Sequence, residues 1–270
     1  MSVAPQAGSF DKVTLVTGGA AGIGEGCARV FCEAGAHVVI ADIDRDRGTS
    51  LAAALTERGP GTCDFERCDV SDPEQLEQTI DGVVARHGRL DCLINNAGRH
   101  PPRKPLGEFT VEEFRGLLEL NLVACFVACR RSLPHLRASR GSIVNIGSIV
   151  GKVGYPGSTT YCATKAGVTG FTKALAIEEA GNGVRANVVL PGNIMTQARM
   201  DEESRLDDPR PFHDFVESMQ WVGRSGTPTE VGEACLFLAS DASRYITGIE
   251  LVVGGGIDLG LGPKLQAPGS

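Results

Sequence analysis

Short apolar runs and amphipathic stretches alternate along almost the whole chain. The run at 13–16 ends in the turn Thr17-Gly18-Gly19-Ala20-Ala21-Gly22-Ile23-Gly24, and residues 23–34 then read as a helix. A second buried strand at 37–41 is closed by Asp42. The rhythm continues with a helix over 47–58, a strand over 63–68 and a helix over 73–87. A strand over 90–94 follows, ended by Asn95-Asn96-Ala97-Gly98, and then a longer helix over 111–138. Residues 142–146 predict a strand, 160–179 a helix and 185–190 a strand stopped by Pro191-Gly192. This alternation predicts an α/β fold with a parallel sheet covered on both faces. With no internal repeat, residues 1–270 are expected to form one domain.

Two stretches leave the rhythm. Residues 195–221 are polar and carry both signs of charge, as in Met200-Asp201-Glu202-Glu203-Ser204-Arg205. They follow a strand's carboxyl end, where such sheets bind ligands, and are read as a lid over a substrate cleft, or else as a solvated surface excursion. From about residue 254 the chain is rich in glycine and proline, and an irregular tail is expected.

Composition narrows the function classes. The net charge of −7 argues against nucleic acid as a main partner, since phosphate binding needs a basic surface. The nine cysteines contain no CxxC pair and have no histidines at metal-ligand spacing, so neither a disulfide scaffold nor a metal site is expected. Buried thiols in a reducing compartment fit them better. The first dozen residues lack the apolar run of a signal peptide and no stretch reaches transmembrane length, so a cytosolic protein without a membrane partner is expected.

The chemistry-bearing residues fall at the ends of these elements. Gly18-x-x-x-Gly22-x-Gly24 follows a strand and opens a helix, where glycine lets the backbone approach a pyrophosphate favoured by the helix N-terminus. Asp42, eighteen residues past Gly24, can accept both adenosine ribose hydroxyls and would repel a 2′-phosphate, which favours NAD over NADP. Arg45 and Arg47 lie nearby, but Ala21 supplies no basic group inside the turn. Asp69-Val70 ends the third strand, where a carboxylate could meet the adenine amino group or simply begin the next helix. Tyr161 and Lys165 share a helix face at i and i+4, with Ser148 thirteen residues upstream. A phenol beside an ammonium and a cationic nicotinamide should have a lowered pKa, as a general base requires. Cys162, adjacent to Tyr161, is turned about 100° away on the helix and is read as packing.

Taken together, Thr17-Gly18-x-x-x-Gly22-Ile23-Gly24, Asp69-Val70, Asn95-Asn96-Ala97-Gly98, Asn121, Ser148, Tyr161-x-x-x-Lys165 and Pro191-Gly192 resemble the short-chain dehydrogenase/reductase family. The resemblance implies a doubly wound, Rossmann-type sheet of about seven strands and assembly as a homotetramer or homodimer. It also implies a small-molecule alcohol or ketone as substrate. By the same resemblance Ser148, Tyr161, Lys165 and Asn121 are the catalytic set, with Asn121 helping to hold a water behind the lysine. Gly18, Ala21, Gly22, Ile23, Gly24, Asp42, Asp69, Val70, Asn96, Tyr161, Lys165, Ile194 and Thr196 are the cofactor contacts it implies.

Within that family the chain is most similar to the type-14 17β-hydroxysteroid dehydrogenases. His100-Pro101-Pro102, Leu118-Glu119-Leu120-Asn121-Leu122, Pro191-Gly192-Asn193-Ile194 and Thr247-Gly248-Ile249-Glu250-Leu251 carry this similarity. Arg99, Tyr155, Met195 and Arg199 depart from that branch's pattern near the substrate. The implied reaction is oxidation of a secondary alcohol with NAD, a 17β-hydroxysteroid first and the anomeric hydroxyl of L-fucose or a similar aldose as the alternative. His100, Tyr155 and Arg199, beside Ser148 and Tyr161, are the substrate-lining candidates, and their polarity leans toward a polar substrate. A non-catalytic NAD-binding sensor or scaffold is the reading from another class.

Overall fold

The computed structural model describes residues 10–259. Strands β1 (Val13–Thr17), β2 (His37–Asp42), β3 (Thr62–Arg67), β4 (Cys92–Asn95), β5 (Ser142–Ile146), β6 (Arg185–Pro191) and β7 (Glu250–Val253) form one sheet. All neighbours pair in parallel, in the order β3-β2-β1-β4-β5-β6-β7. The order reverses between β1 and β4, and the crevice at the carboxyl ends of these two strands is where a sheet of this kind takes a ligand.

Helices α1 (Gly22–Ala34), α2 (Arg45–Arg58), α3 (Pro73–His87), α4 (Val111–Leu118) and α5 (Ala124–Ser139) connect the first half. Helices α6 (Val150–Val153), α7 (Thr159–Glu179), α8 (Gln197–Glu203), α9 (Arg210–Ser218) and α10 (Pro228–Ala239) connect the second. The strands alternate their side chains between two cores, as the pleat dictates. Val16, Ile40, Ile94 and Val144 pack with Phe31, Cys235 and Leu238 on one face. Leu15, Val39, Leu93 and Ile143 pack with Leu76, Ile80 and Leu136 on the other.

Three elements differ from the sequence expectation. The single helix expected over 111–138 is interrupted by a wider π-helical turn, Glu119–Val123. The stretch 195–221 holds two helices, α8 and α9. Helix α10 is not among the expected elements, although Thr227 and Glu230 form a reciprocal capping box with Pro228 at the first turn, a signal present in the sequence. Residues 254–259 contain turns and no helix or strand; the rest of the expected irregular tail lies outside the described residues.

All nine cysteines are free, and eight are buried. Burial pushes the Cys92 thiol up to about 12, which leaves it a poor nucleophile. Among the described residues no helix is long and apolar enough to cross a membrane, and no group of three or more His, Cys, Asp or Glu could hold a metal ion.

Helix α10 packs on α1 through glycines. A Cβ on Gly232 would lie 2.7 Å from the Gly26 carbonyl oxygen, and one on Gly26 would lie 2.3 Å from the Pro228 carbonyl oxygen. Alanine is normally the better helix former, but here the backbone of the facing helix cannot yield. Gly232→Ala should therefore lower stability by about 1–2 kcal/mol in urea unfolding; an increase would mean that α1 and α10 can move apart freely.

Candidate active site

The turn after β1 is built for close approach. Gly18 and Gly22 have φ of 62° and 57°, and a Cβ on Gly24 would fall 2.1 Å from the Gly18 carbonyl oxygen. Ala21 caps α1 with extended backbone and no side-chain hydrogen bond. The first N–H groups of the helix are thus left to a ligand, and the helix dipole favours an anion there. Asn96 braces this turn: its Nδ2 donates to the carbonyls of Thr17 at 3.0 Å and Gly18 at 2.8 Å. Thr17 Oγ1 in return accepts from the N–H groups of Asn96 and Ala97, both at 3.1 Å. Residues at the ends of β1 and β4 are in this way locked together.

Asp42, at the end of β2, accepts the N–H groups of Ala20 and Asp44, each at 3.0 Å, so its carboxylate is anchored beside the glycine turn. Asp69 accepts the hydroxyl of Ser71 at 2.6 Å and its N–H at 3.0 Å, and the hydroxyl bond above all holds its carboxyl below the usual range. The cap of α3 is Asp72, not Asp69. Val70 is buried, and Ile194 is buried where it bridges to Gly226. Thr196 lies over the glycine turn, its methyl 3.4 Å from where a Cβ of Gly22 would stand. Distant stretches of sequence therefore enclose one cradle whose residues fit a dinucleotide: an anion site at α1, a carboxylate at β2 and side chains of the 195–221 stretch above it.

Ser148, Tyr161 and Lys165 converge at the ends of β5 and α7. Main-chain bonds from Gly147 to Val189 and from Ile149 to Pro191 fix the loop that carries Ser148. Burial pushes the Tyr161 phenol up to about 12, opposed by a hydrogen bond from Ser148. The lowering of the phenol by Lys165 expected from the sequence is not present in the chain by itself. Lys165 Nζ lies 5.8 Å from the centre of the Tyr161 ring and donates to the carbonyl of Ile146 at 2.9 Å. Lys165 is only 5% exposed, and burial pushes its pKa down to about 8.

Asn121 sits in the π-helical turn, the kind of helix distortion often found at functional sites. Its side-chain oxygen accepts from the N–H of Arg99 at 3.0 Å. Its Nδ2 donates to the carbonyl of Arg99 at 3.1 Å and to Thr164 Oγ1 at 3.2 Å. A cavity of about 10 Å³ between Asn121, Lys165, Asn95 and Thr17 has the size of one water and polar groups to hold it. Below it, Asn95 Nδ2 donates to Asn145 Oδ1 at 2.8 Å, and Asn145 Nδ2 to Thr172 Oγ1 at 2.8 Å. This buried chain ties β4, β5 and α7 under the site.

The three substrate candidates have different fates. The ring of His100 packs on that of Tyr161, with centroids 4.4 Å apart. Tyr155 accepts from Arg103 Nη1 at 3.1 Å, with the guanidinium 5.5 Å from its ring centre. Arg199 instead donates to Glu203 at 2.8 and 2.9 Å and to Ser225 at 3.3 Å. Arg199 and Glu203 are 13% and 12% exposed at their side chains, so this charge is neutralised within the 195–221 stretch. Arg103, Ser158 and Thr164 belong to the site but are absent from the sequence expectation. Ser158 precedes the expected helix start and carried a capping signal; the other two had no local signal.

The family model described as "Enoyl-(Acyl carrier protein) reductase" matches residues 18–258. The chain is 48% identical over 253 residues to L-fucose dehydrogenase of Oryctolagus cuniculus, covering 94% of this chain and 87% of that protein. It is 46% identical over 255 residues to L-fucose dehydrogenase of Bos taurus, covering 94% and 92%. The structure resembles L-sorbose reductase from Gluconobacter frateurii, solved with NADPH and L-sorbose, with a TM-score of 0.89 at 28% identity over 93% of this chain and 98% of that one.

The buried lysine makes stability depend on pH in a defined direction. Between about 8 and its ordinary 10.5, the unfolded chain binds a proton at Lys165 that the folded chain does not, so stability from this group rises with pH. Wild-type protein, measured against Lys165→Met by urea unfolding without cofactor, should gain roughly 1–2 kcal/mol between about pH 7.5 and 9.5. A flat difference would show that the interior tolerates the charged amine.

Proposed function

The chain belongs to the short-chain dehydrogenase/reductase family and is an oxidoreductase acting on CH–OH groups, and on that premise we propose that it oxidises the anomeric hydroxyl of L-fucose or a similar aldose with NAD. The observation that carries the substrate is the polar lining around Tyr161. The ring of His100, bonded to Ser158, packs on the ring of Tyr161, and the loops that carry these residues also hold the Tyr155–Arg103 pair. A sugar matches such a lining, whereas a steroid calls for a mostly apolar cleft. The relatives named L-fucose dehydrogenase support the same choice. This reverses the order of the two substrates expected from the sequence, where the 17β-hydroxysteroid came first.

In the proposed mechanism the C1 hydroxyl lies between Ser148 Oγ and the phenol oxygen of Tyr161. Ser148 donates to the substrate oxygen and orients it. Tyr161 as phenolate takes the hydroxyl proton, the C1–H bond breaks, and its electron pair leaves as hydride while the C1–O bond becomes a carbonyl. A bound nicotinamide would supply the hydride acceptor and a positive charge near the phenol. That charge matters here because burial alone holds Tyr161 near 12. Lys165 would hold the nicotinamide ribose and relay the proton, releasing one toward the water-sized cavity beside Asn121 as it takes up that of Tyr161.

For the cofactor, the turn Gly18–Gly24 would hold the pyrophosphate, Asp42 the adenosine ribose, Asp69 and Val70 the adenine, and Ile194 with Thr196 the carboxamide end. Asp42 is the reason for NAD, since its anchored carboxylate would face a 2′-phosphate. The stretch 195–221 is the proposed lid, because Thr196 already overlies the glycine turn. Exposed Phe126 and Ile177 on α5 and α7, and the fully exposed Tyr245 before β7, support assembly into a dimer or tetramer.

The test is NADH formation from NAD with L-fucose, other aldoses, estradiol and simple secondary alcohols in parallel. L-fucose or a stereochemically similar aldose should be oxidised fastest, and Tyr161→Phe should bind NADH normally while losing ~10²–10⁴-fold in turnover. Faster oxidation of estradiol would restore the steroid reading. Asp42→Ala should improve kcat/KM with NADP by about tenfold or more and reduce it with NAD. A wild-type preference for NADP would overturn the role given to Asp42.

A further inference from the structure

His100 is held more tightly than a substrate contact requires. Its Nδ1 lies 2.6 Å from the Pro101 carbonyl oxygen, and its Nε2 lies 3.0 Å from Ser158 Oγ. A carbonyl oxygen can only accept, so Nδ1 carries the hydrogen. In the neutral ring Nε2 is then the acceptor, and the Ser158 hydroxyl donates to it. The loop bearing the ring is stiffened by Pro101 and Pro102.

Ser158 itself is diverted from the task its position suggests. It stands at the N-cap of α7, where a serine hydroxyl ordinarily accepts from the helix's first N–H groups, yet it makes no such bond. Its side chain is fully buried, and its main chain is fixed by bonds to Tyr155 and Cys162. Three residues further on, α7 presents Tyr161, whose ring lies 4.4 Å from the ring of His100 at an interplanar angle of 57°. One hydroxyl at the start of the catalytic helix therefore fixes the plane of the ring packed against the catalytic phenol, while the Pro101 carbonyl sets its tautomer.

We propose that Ser158 is a positioning residue for the reaction: it fixes the plane of His100, a neutral Nδ1–H imidazole that walls one side of Tyr161, and keeps the phenol aimed at Ser148. Both ring nitrogens are engaged by the protein, so His100 meets the substrate through its ring surface and not as the hydrogen-bond donor to a sugar hydroxyl. The inference rests on Tyr161 being the proton-transfer group, but not on which alcohol is oxidised.

Two measurements separate its failure from failure of the functional reading. The first needs no substrate: ¹⁵N NMR of histidine-labelled protein, with the His100 signals identified by their loss in His100→Phe. His100 should show the neutral Nδ1–H tautomer in the wild type and in Ser158→Ala, with the Nε2 signal shifted in the variant by loss of its hydrogen bond. An Nε2–H tautomer in the wild type would overturn the proposal, and so would an unshifted Nε2 signal. The second uses the best alcohol found for the wild type. Ser158→Ala should lower kcat about tenfold, a misplacement effect, with NADH affinity unchanged. Ser158→Thr should recover most of that loss. Combining Ser158→Ala with His100→Phe should cost no more than His100→Phe alone. Additive losses, or a Ser158→Ala effect confined to KM, would assign Ser158 to the fold or to direct substrate binding instead.

Discussion

The carboxyl ends of β1 and β4 meet so closely that a Cβ on Gly18 would lie 2.8 Å from the Cα of Ala97. Asn96 and Ala97 make four hydrogen bonds to Thr17 and Gly18 across this junction. The strand order reverses at this point, and the glycine turn, Asp42 and the asparagine loop lie at the crevice that results.

Charge is arranged around that crevice at a cost to the free chain. Lys165 is buried, with the carbonyl of Ile146 as its hydrogen-bond partner. Tyr161 is held in its neutral form by burial, with Ser148 pulling the other way. Both groups sit with pKa values displaced toward the neutral form, a state that a bound cation would reverse for the phenol. The buried chain from Asn95 through Asn145 to Thr172 keeps the supporting strands and α7 in register while this happens, because unpaired amides there would be costly.

The substrate side is built differently, from short loops and the 195–221 stretch. There the polar groups satisfy one another: Arg199 with Glu203, His100 with Ser158, Tyr155 with Arg103. A charge that looks available in the sequence is thereby removed from the cleft, and a histidine that looks like a hydrogen-bond donor becomes a fixed wall.

Local pattern determined a great deal. Short apolar runs located the first six strands, glycine spacing marked the tight turn after β1, and the i, i+4 spacing placed Tyr161 and Lys165 on one face. These features depend on residues a few positions apart, which is why they are legible along the chain. Even α10 was announced by its Thr227–Glu230 capping box. Tertiary structure decided the rest. The π-helical turn that aims Asn121, the neutralisation of Arg199 by Glu203 and the bond between His100 and Ser158 across 58 residues depend on how packed elements meet. A side chain's partner, and with it its charge, tautomer and pKa, is set by burial and by neighbours far off in sequence, and no local pattern encodes these.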